Sequence, residues 1–223
     1  VTTPYYEDEL VQLFHGDCRQ ITEWLEADVL LCDPPYGINY NSGSPRDTLA
    51  ASIQGDEDTT IRDTVLNMWG PKPALVFGTW RIPRPPRVQE RLIWDTKGAL
   101  GMGDLSIPWK PSDQEIYVLN HTTSNGFRGR RDSNIIVCPP VQSMARNGRV
   151  HPHQKPVALL AALIEKCPPG VLADPCAGSG TLGVAAKMVG RPAILVESDK
   201  RYLPLIVDRL QQDALPFREM EAS

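Results

Sequence analysis

The stretch VLADPCAGSGTLGVAAKMVGRPAILVESD, residues 171–199, constrains this chain more than any other. It reads as a short apolar strand, a glycine-rich turn, a helix, and a second apolar strand that ends in an acid. Gly178 and Gly180 let the backbone turn sharply and approach a ligand where a Cβ would collide. The helix that follows presents free N–H groups to the negative end of a bound molecule. Glu197 lies 19 residues after Gly178, at the strand end from which an acid reaches the two hydroxyls of a ribose. Gly183 falls inside the helix, so the three-glycine spacing of dinucleotide sites is absent. A short GxG with a following acid suits a mononucleoside such as S-adenosylmethionine better than NAD. Alone, the stretch also fits a merely structural turn, and Asp174 either meets the cofactor's amino group or caps the strand end.

The same alternation runs along the rest of the chain. Strands are expected at Val11–Phe14, Asp28–Cys32, Ala74–Phe77, Arg91–Trp94, Glu115–Leu119, Asn134–Cys138, Val171–Ala173 and Ala193–Val196, with the third and fourth buried. Helices are expected at Cys18–Glu26, Ile61–Trp69, Pro156–Lys166 (the proline at its first position), Thr181–Val189 and Asp199–Gln211. Pro204 is tolerable only in a first turn, which moves the start of the last helix later. Ser42–Asp58 is small, polar and acidic and reads as a mobile loop, while Pro83, Pro85 and Pro86 make residues 81–87 an extended connection. The pattern is that of an α/β, doubly wound, mostly parallel sheet with helices on both faces.

A chain of 223 residues, 41% hydrophobic and 22% charged, has material for one globular domain over residues 1–223. No apolar run approaches the roughly 20 residues that span a bilayer. The start lacks a signal-peptide pattern, so a cytoplasmic location is expected. The five cysteines are odd in number and never form CxxC, which argues against a disulfide framework and a zinc knuckle. His151 and His153 lack further ligands at a sensible spacing, so no metal site is expected. A net charge of −4 gives no overall attraction to nucleic acid, but its distribution is uneven. Residues 121–155 carry Arg128, Arg130, Arg131, Arg146, Arg149 and Lys155 against Asp132 alone, and residues 81–91 carry Arg81, Arg84, Arg87 and Arg91 against Glu90. These segments either track phosphates or are solvated loops.

The apolar run before Cys32 leads into Asp33-Pro34-Pro35-Tyr36-Gly37. Two prolines at a strand's carboxyl end stop the ladder and stiffen the turn, leaving the Pro34 carbonyl outside it. Asp33 then projects beside that carbonyl at the sheet edge where open α/β folds bind ligands. Two adjacent acceptors suit an NH₂ group, and Tyr36 offers a flat face to a planar base. An isolated Asp-Pro-Pro is also an ordinary turn; its place after a buried strand, with a cofactor turn elsewhere, favours the catalytic reading.

On these residues the chain resembles the amino-methylating DNA methyltransferases of the β class, over nearly its whole length. LFHGDCRQI resembles the segment before the catalytic strand, and DVLLCDPPYG the catalytic motif. RLIWDTKGALGMGD and EIYVLN resemble the later catalytic strands, HPHQKP is similar to HPTQKP, and DPCAGSGT to DPFAGSGT. The catalytic motif precedes the cofactor motif, the circularly permuted order of that class. The resemblance implies a Rossmann-like sheet with Asp33, Pro34, Pro35 and Tyr36 as catalytic residues. It implies S-adenosylmethionine held by Asp17, Cys18, Asp174, Cys176, Ala177, Gly178, Ser179, Gly180, Thr181, Glu197 and Ser198. His151, Gln154 and Lys155 close the cofactor site. Cys176 stands where relatives carry a phenylalanine packed on the cofactor, and is read as small packing rather than a nucleophile; His153 replaces a threonine.

The resemblance further implies double-stranded DNA as partner, base flipping, a homodimer, and a role such as restriction-modification. It places a short target-recognition segment at 121–150, whose Arg128, Arg130, Arg131, Arg146 and Arg149 contact DNA. Aspartate at the first motif position implies adenine N6 as the methylated atom, with cytosine N4 as the alternative. A non-catalytic nucleic-acid-binding remnant would carry a decayed site, whereas DPPY and AGSG are intact. Relatives acting on RNA or on protein glutamine carry Asn in place of Asp33 and a different motif order.

Overall fold

A computed structural model of the chain describes residues 2–40, 53–98, 105–141 and 154–212. Its elements, in chain order, begin with β1 (Tyr6–Glu7), β2 (Val11–His15), β3 (Val29–Cys32), α1 (Thr60–Trp69), β4 (Ala74–Gly78), β5 (Val88–Asp95) and β6 (Asp113–Leu119). They continue with β7 (Ile135–Val137), α2 (Val157–Glu165), β8 (Leu172–Asp174), α3 (Thr181–Met188), β9 (Ala193–Glu197) and α4 (Leu203–Gln211). The nine strands of the described residues join one sheet in the order β1-β2-β9-β8-β3-β4-β6-β5-β7. From β2 to β4 every pairing is parallel. Beyond β4, β6 and β5 run antiparallel, and β7 closes the edge parallel to β5.

Strand residues alternate between two cores, as the two-residue period of a strand requires. Val29, Leu31, Leu75, Phe77, Leu13 and Leu195 face α2, α3 and α4, which contribute Leu160, Ile164, Leu182, Ile206 and Leu210. Leu30, Cys32, Ala74, Val76 and Val196 face the other way, onto Val65, Leu66 and Trp69 of α1 and onto Trp24. Trp24 and Trp69 stack with centroids 5.9 Å apart. Central strands buried on both sides explain the continuous apolar runs DVLLC and ALVFG.

Several expectations change. Cys18–Glu26 is not an α-helix; only a single 3-10 turn forms, at Glu23–Glu26. The Asp17 carboxylate accepts the Arg19 N–H, and its carbonyl accepts Gln20 and Ile21, so the backbone is held in a turn that competes with the helix. β5 is no buried strand: Gln89 to Arg91 are exposed and Trp94 alone is deeply buried. Pro156 is the cap of α2 rather than its first residue. α4 begins at Leu203 and carries Pro204 in its first turn, where the missing N–H leaves no helical bond unmade. Of the loop read at Ser42–Asp58, residues 53–58 are described and include Asp56, only 2% exposed. No described helix is long and apolar enough to cross a membrane.

Candidate active site

Four adjacent parallel strands, β2, β9, β8 and β3, end at one edge of the sheet. Each delivers an acid there: Asp17 just past β2, Glu197 and Asp174 as last residues of β9 and β8, and Asp33 just past β3. Asp17, Asp33 and Glu197 line a cavity of about 490 Å³ together with Pro34, Pro35, Tyr36, Cys18, Cys176, Gly178, Ser198, Ile38, Tyr40 and Tyr202; Asp174 lines the cleft behind it. That volume lies in the range of small-molecule sites.

Asp33 has both carboxylate oxygens engaged. Lys155, one residue before the cap of α2, donates to Oδ2 at 2.6 Å, and the Tyr36 hydroxyl donates to Oδ1 at 2.7 Å. The same ammonium lies 3.1 Å from the Tyr36 oxygen and 4.8 Å from the centre of the Phe77 ring. Lys155 is 5% exposed and Asp33 24% exposed at the side chain, so the carboxylate alone reaches the cavity. Burial, then the Asp33 charge, push the Tyr36 hydroxyl well above its ordinary range and keep it a proton donor. Its ring belongs to the core, so Tyr36 serves Asp33 through its hydroxyl before offering any face to a base. The turn is anchored by Asp56, whose carboxylate accepts the Gly37 and Tyr40 N–H groups, each at 2.7 Å.

The glycine turn wraps the other side. Gly178 and Gly180 adopt φ of 54° and 70°, in the left-handed region that favours glycine. A Cβ on Gly180 would sit 2.5 Å from Ile206. Glu197 accepts the Gly178 N–H at 2.6 Å and the Asp199 N–H at 2.7 Å, tying the turn to β9. Ala177 is buried, its N–H bonded to Val196, and the hydroxyls of Ser179 and Thr181 lie 3.0 Å apart. Burial pushes Glu197 up to about 7 despite the backbone N–H groups that favour its charge. Asp174 also rises to about 7, first through burial, with the Asp33 and Glu197 charges adding to it. A cleft of about 50 Å³ connects Asp33 and Lys155 to Gly178, Ser179 and Thr181.

Cys18, Cys32 and Cys176 meet at the cavity floor. The contact with Cys176 and burial push the Cys18 thiol far up; burial takes Cys32 to about 12. Cys18 favours the Cys176 thiolate, but Cys32 and burial outweigh it, and that thiol too stays protonated. A neutral thiol is a poor nucleophile, in keeping with Cys176 as packing.

The structure thus gathers Asp17, Cys18, Asp33 to Tyr36, Cys176, Gly178, Glu197 and Ser198 around one cavity, with Asp174, Ala177, Ser179, Thr181 and Lys155 along the cleft behind it. Gly180 shapes the turn from beneath, and Gln154 is half-buried next to Lys155. His151, Arg146 and Arg149 fall outside the described residues. Arg128, Arg130 and Arg131 are not brought to the site. β6 runs antiparallel to β4, so the chain leaves β6 at the opposite edge of the sheet. There the Arg128 N–H bonds the Lys166 carbonyl, at the far end of a helix about 14 Å long that starts beside Lys155. Arg130 is paired with Asp132. Arg84 and Arg91, both about half exposed, pair with the buried Glu115. Sequence reasoning missed Asp56, Tyr202 and Arg209. The first lay in a stretch read as loop; Arg209 sits 28 residues from the Thr181 hydroxyl it contacts and also donates to the Ser179 carbonyl.

The cavity's charge restricts its ligand. Among the described residues, Asp17, Asp33, Asp56, Glu57, Glu197 and Asp199 line it, with Arg19 as the lining cation. Arg19 is bound to Asp17 at 2.5 Å. Such a wall disfavours the phosphates of a dinucleotide and favours a ligand that carries positive charge.

Sheet order, ligand edge and acidic cavity define a Rossmann-like nucleoside-binding α/β protein. The sequence profile of the DNA methylase family, the N6/N4 methyltransferases, matches residues 63–208. The type II methyltransferase M.ScaI of Streptomyces caespitosus is 35% identical over 95% of this chain and 84% of its own length. The chain belongs to the N6/N4 DNA methyltransferase family. Its fold is that of the PvuII cytosine-N4-specific DNA methyltransferase (TM-score 0.69, 14% identity, 95% and 90% of the two chains). It is likewise that of M1.HpyAVI in complex with SAM (TM-score 0.65, 19% identity, 91% and 100% of the two chains).

Proposed function

We propose that this protein transfers a methyl group from S-adenosylmethionine to the exocyclic N6 of an adenine flipped out of double-stranded DNA. The observation that carries the reading is Asp33, a carboxylate held by two buried donors at the mouth of a nucleoside-sized acidic cavity. The residues present fit the cofactor: Glu197 lies where ribose hydroxyls would be met, and the acids offset the charge of a sulfonium. When bound, S-adenosylmethionine supplies an electrophilic methyl on a positively charged sulfur.

The protein's own part is positioning. The amino hydrogens of the base are accepted by Asp33 and the Pro34 carbonyl. This raises electron density on a nitrogen whose lone pair is otherwise delocalised into the ring. Lys155 and Tyr36 keep the Asp33 carboxyl pointed at the cavity and balance its charge. Methylation of that nitrogen would oblige it to lose one proton, which the Asp33 carboxylate would accept. No covalent enzyme intermediate is required.

Duplex DNA incubated with protein and cofactor, digested to nucleosides and examined by mass spectrometry, is expected to contain N6-methyladenine. N4-methylcytosine alone would overturn the base assignment, and no methylated nucleoside would overturn the reading. Asp33→Ala is expected to lower kcat by about a thousand-fold or more, while calorimetric cofactor affinity changes by less than about ten-fold.

A further inference from the structure

The acidic cavity raises a problem for DNA, since its rim repels the phosphates that must lie over it. The opposite side of Asp33 has a different character. β4 and β6 follow β3 in the sheet, and the connections at their catalytic-edge ends leave large apolar side chains uncovered. Trp80, two residues past β4, is 72% exposed. Trp109, shortly before β6, is 79% exposed, with Leu105, four residues earlier, at 78%. Solvating two indoles so fully is unfavourable unless a partner covers them. Cations accompany them: Arg81 lies 5.9 Å from the Trp80 ring, Lys110 is exposed, and Lys97 is only loosely paired with Asp95 at 3.5 Å. Asp113, the remaining acid on this edge among the described residues, is exposed.

Resting on the methyltransferase reading, we propose that Trp80 and Trp109 form the platform that contacts DNA bases flanking the flipped nucleotide. Adjacent strands lie about 4.8 Å apart, so β4 and β6 stand roughly 5 and 10 Å from β3. That reach corresponds to about three nucleotide steps at 3.4 Å each. Bases offer π-faces and apolar edges irrespective of sequence, and indoles pack on bases unstacked by the loss of a neighbour. Arg81 and Lys110 carry the backbone charge that the cavity rim rejects. The duplex therefore lies across the antiparallel half of the sheet and presents the target base sideways to Asp33. The arginines near residue 130 take no part.

The chain's other tryptophans, Trp24, Trp69 and Trp94, are at most 2% exposed. Acrylamide quenching therefore reads Trp80 and Trp109 selectively, and sheared duplex DNA is expected to protect them. Trp80→Ala and Trp109→Ala, in methyl transfer from labelled cofactor to the same DNA, are each expected to raise its KM at least about five-fold. Cofactor affinity should stay within about two-fold, and Trp→Phe at either position should restore most of the KM. Unprotected tryptophans, or an unchanged KM in both alanine variants, would overturn the proposal. If instead sedimentation shows the variants losing self-association while KM holds, the patch joins two copies of the chain and the proposal fails. Absence of methyl transfer by the unaltered protein would count against the functional reading, and DNA protection in the quenching experiment would still decide the platform.

Discussion

The two halves of the sheet differ in what they can hold still. In the parallel half, β2, β9, β8 and β3 are largely buried on both faces, and their ends bring three acids to one cavity and a fourth, Asp174, to the cleft behind it. Positions there are over-determined: Glu197 is tied to Gly178 and Asp199, Asp33 to Lys155 and Tyr36. In the antiparallel half, β5 carries exposed residues on both faces, β7 exposes Ile135 and Val137 on one, and the connections leave tryptophans in solvent. Chemistry that needs sub-ångström placement belongs in the first half, and a surface that must fit a long polymer belongs in the second.

The comparison breaks if groups of the parallel half tolerate change. Lys155→Met keeps the bulk of a buried side chain and removes its charge and donor. It is expected to lower kcat by about a hundred-fold through misplacement of Asp33, with DNA KM nearly unchanged in steady-state assays. A loss confined to KM would move Lys155 out of the catalytic group.

The raised carboxylates sharpen the contrast. Asp174 and Glu197 both rise to about 7 in the free protein, through burial. A cationic ligand meets them best when ionised, so cofactor affinity should increase as pH goes from 6 to 8, by about ten-fold. Calorimetry in buffers of different ionisation enthalpy should record proton release on binding. For stability the sign is opposite. Carboxyls whose folded pKa is raised help the fold while protonated, fully so below their unfolded pKa near 4. That contribution is lost as pH climbs through about 7. The ligand-free protein should therefore melt at lower temperature at pH 8 than at pH 6, other groups being equal, and added cofactor should narrow the gap. A melting temperature flat across this window, with affinity equally flat, would mean both acids stay charged.

The smallest effect is expected at the opposite edge of the sheet. Arg130→Ala removes a 90% exposed side chain paired with Asp132. It should leave kcat and DNA KM within about two-fold, since exposed pairs are worth little. A large rise in DNA KM would show that DNA wraps to that edge.

Sequence made the parallel half legible because its signals are local. Apolar runs of four or five residues, a proline pair at a strand end and a glycine turn with an acid 19 residues on are read without knowing which strands are neighbours. The second half was legible only in part, because its geometry depends on pairing. The hairpin of β5 and β6 reverses the chain and carries Arg128 away from Asp33, which no composition of residues 121–150 reveals. Arg84 and Arg91 belong to a basic segment in sequence, yet both are paired with the buried Glu115, which lies 24 or more residues away in the chain. The exposure of Trp80 and Trp109 was not legible either, because an indole in sequence does not declare which side of the surface it is on.

β3, with the catalytic turn, is flanked on one side by β8, and β2 by β9, so each of these neighbours lies well over a hundred residues later in the chain. During synthesis the segment up to α1 is on hand early but has half its sheet missing. Its strands wait, edges unpaired, until residues 172–197 leave the ribosome. Such non-local pairing is slow and exposes the nascent chain to association with others. It also means that no fragment ending before Glu197 encloses the cavity, so premature termination yields an inactive chain rather than one that methylates carelessly.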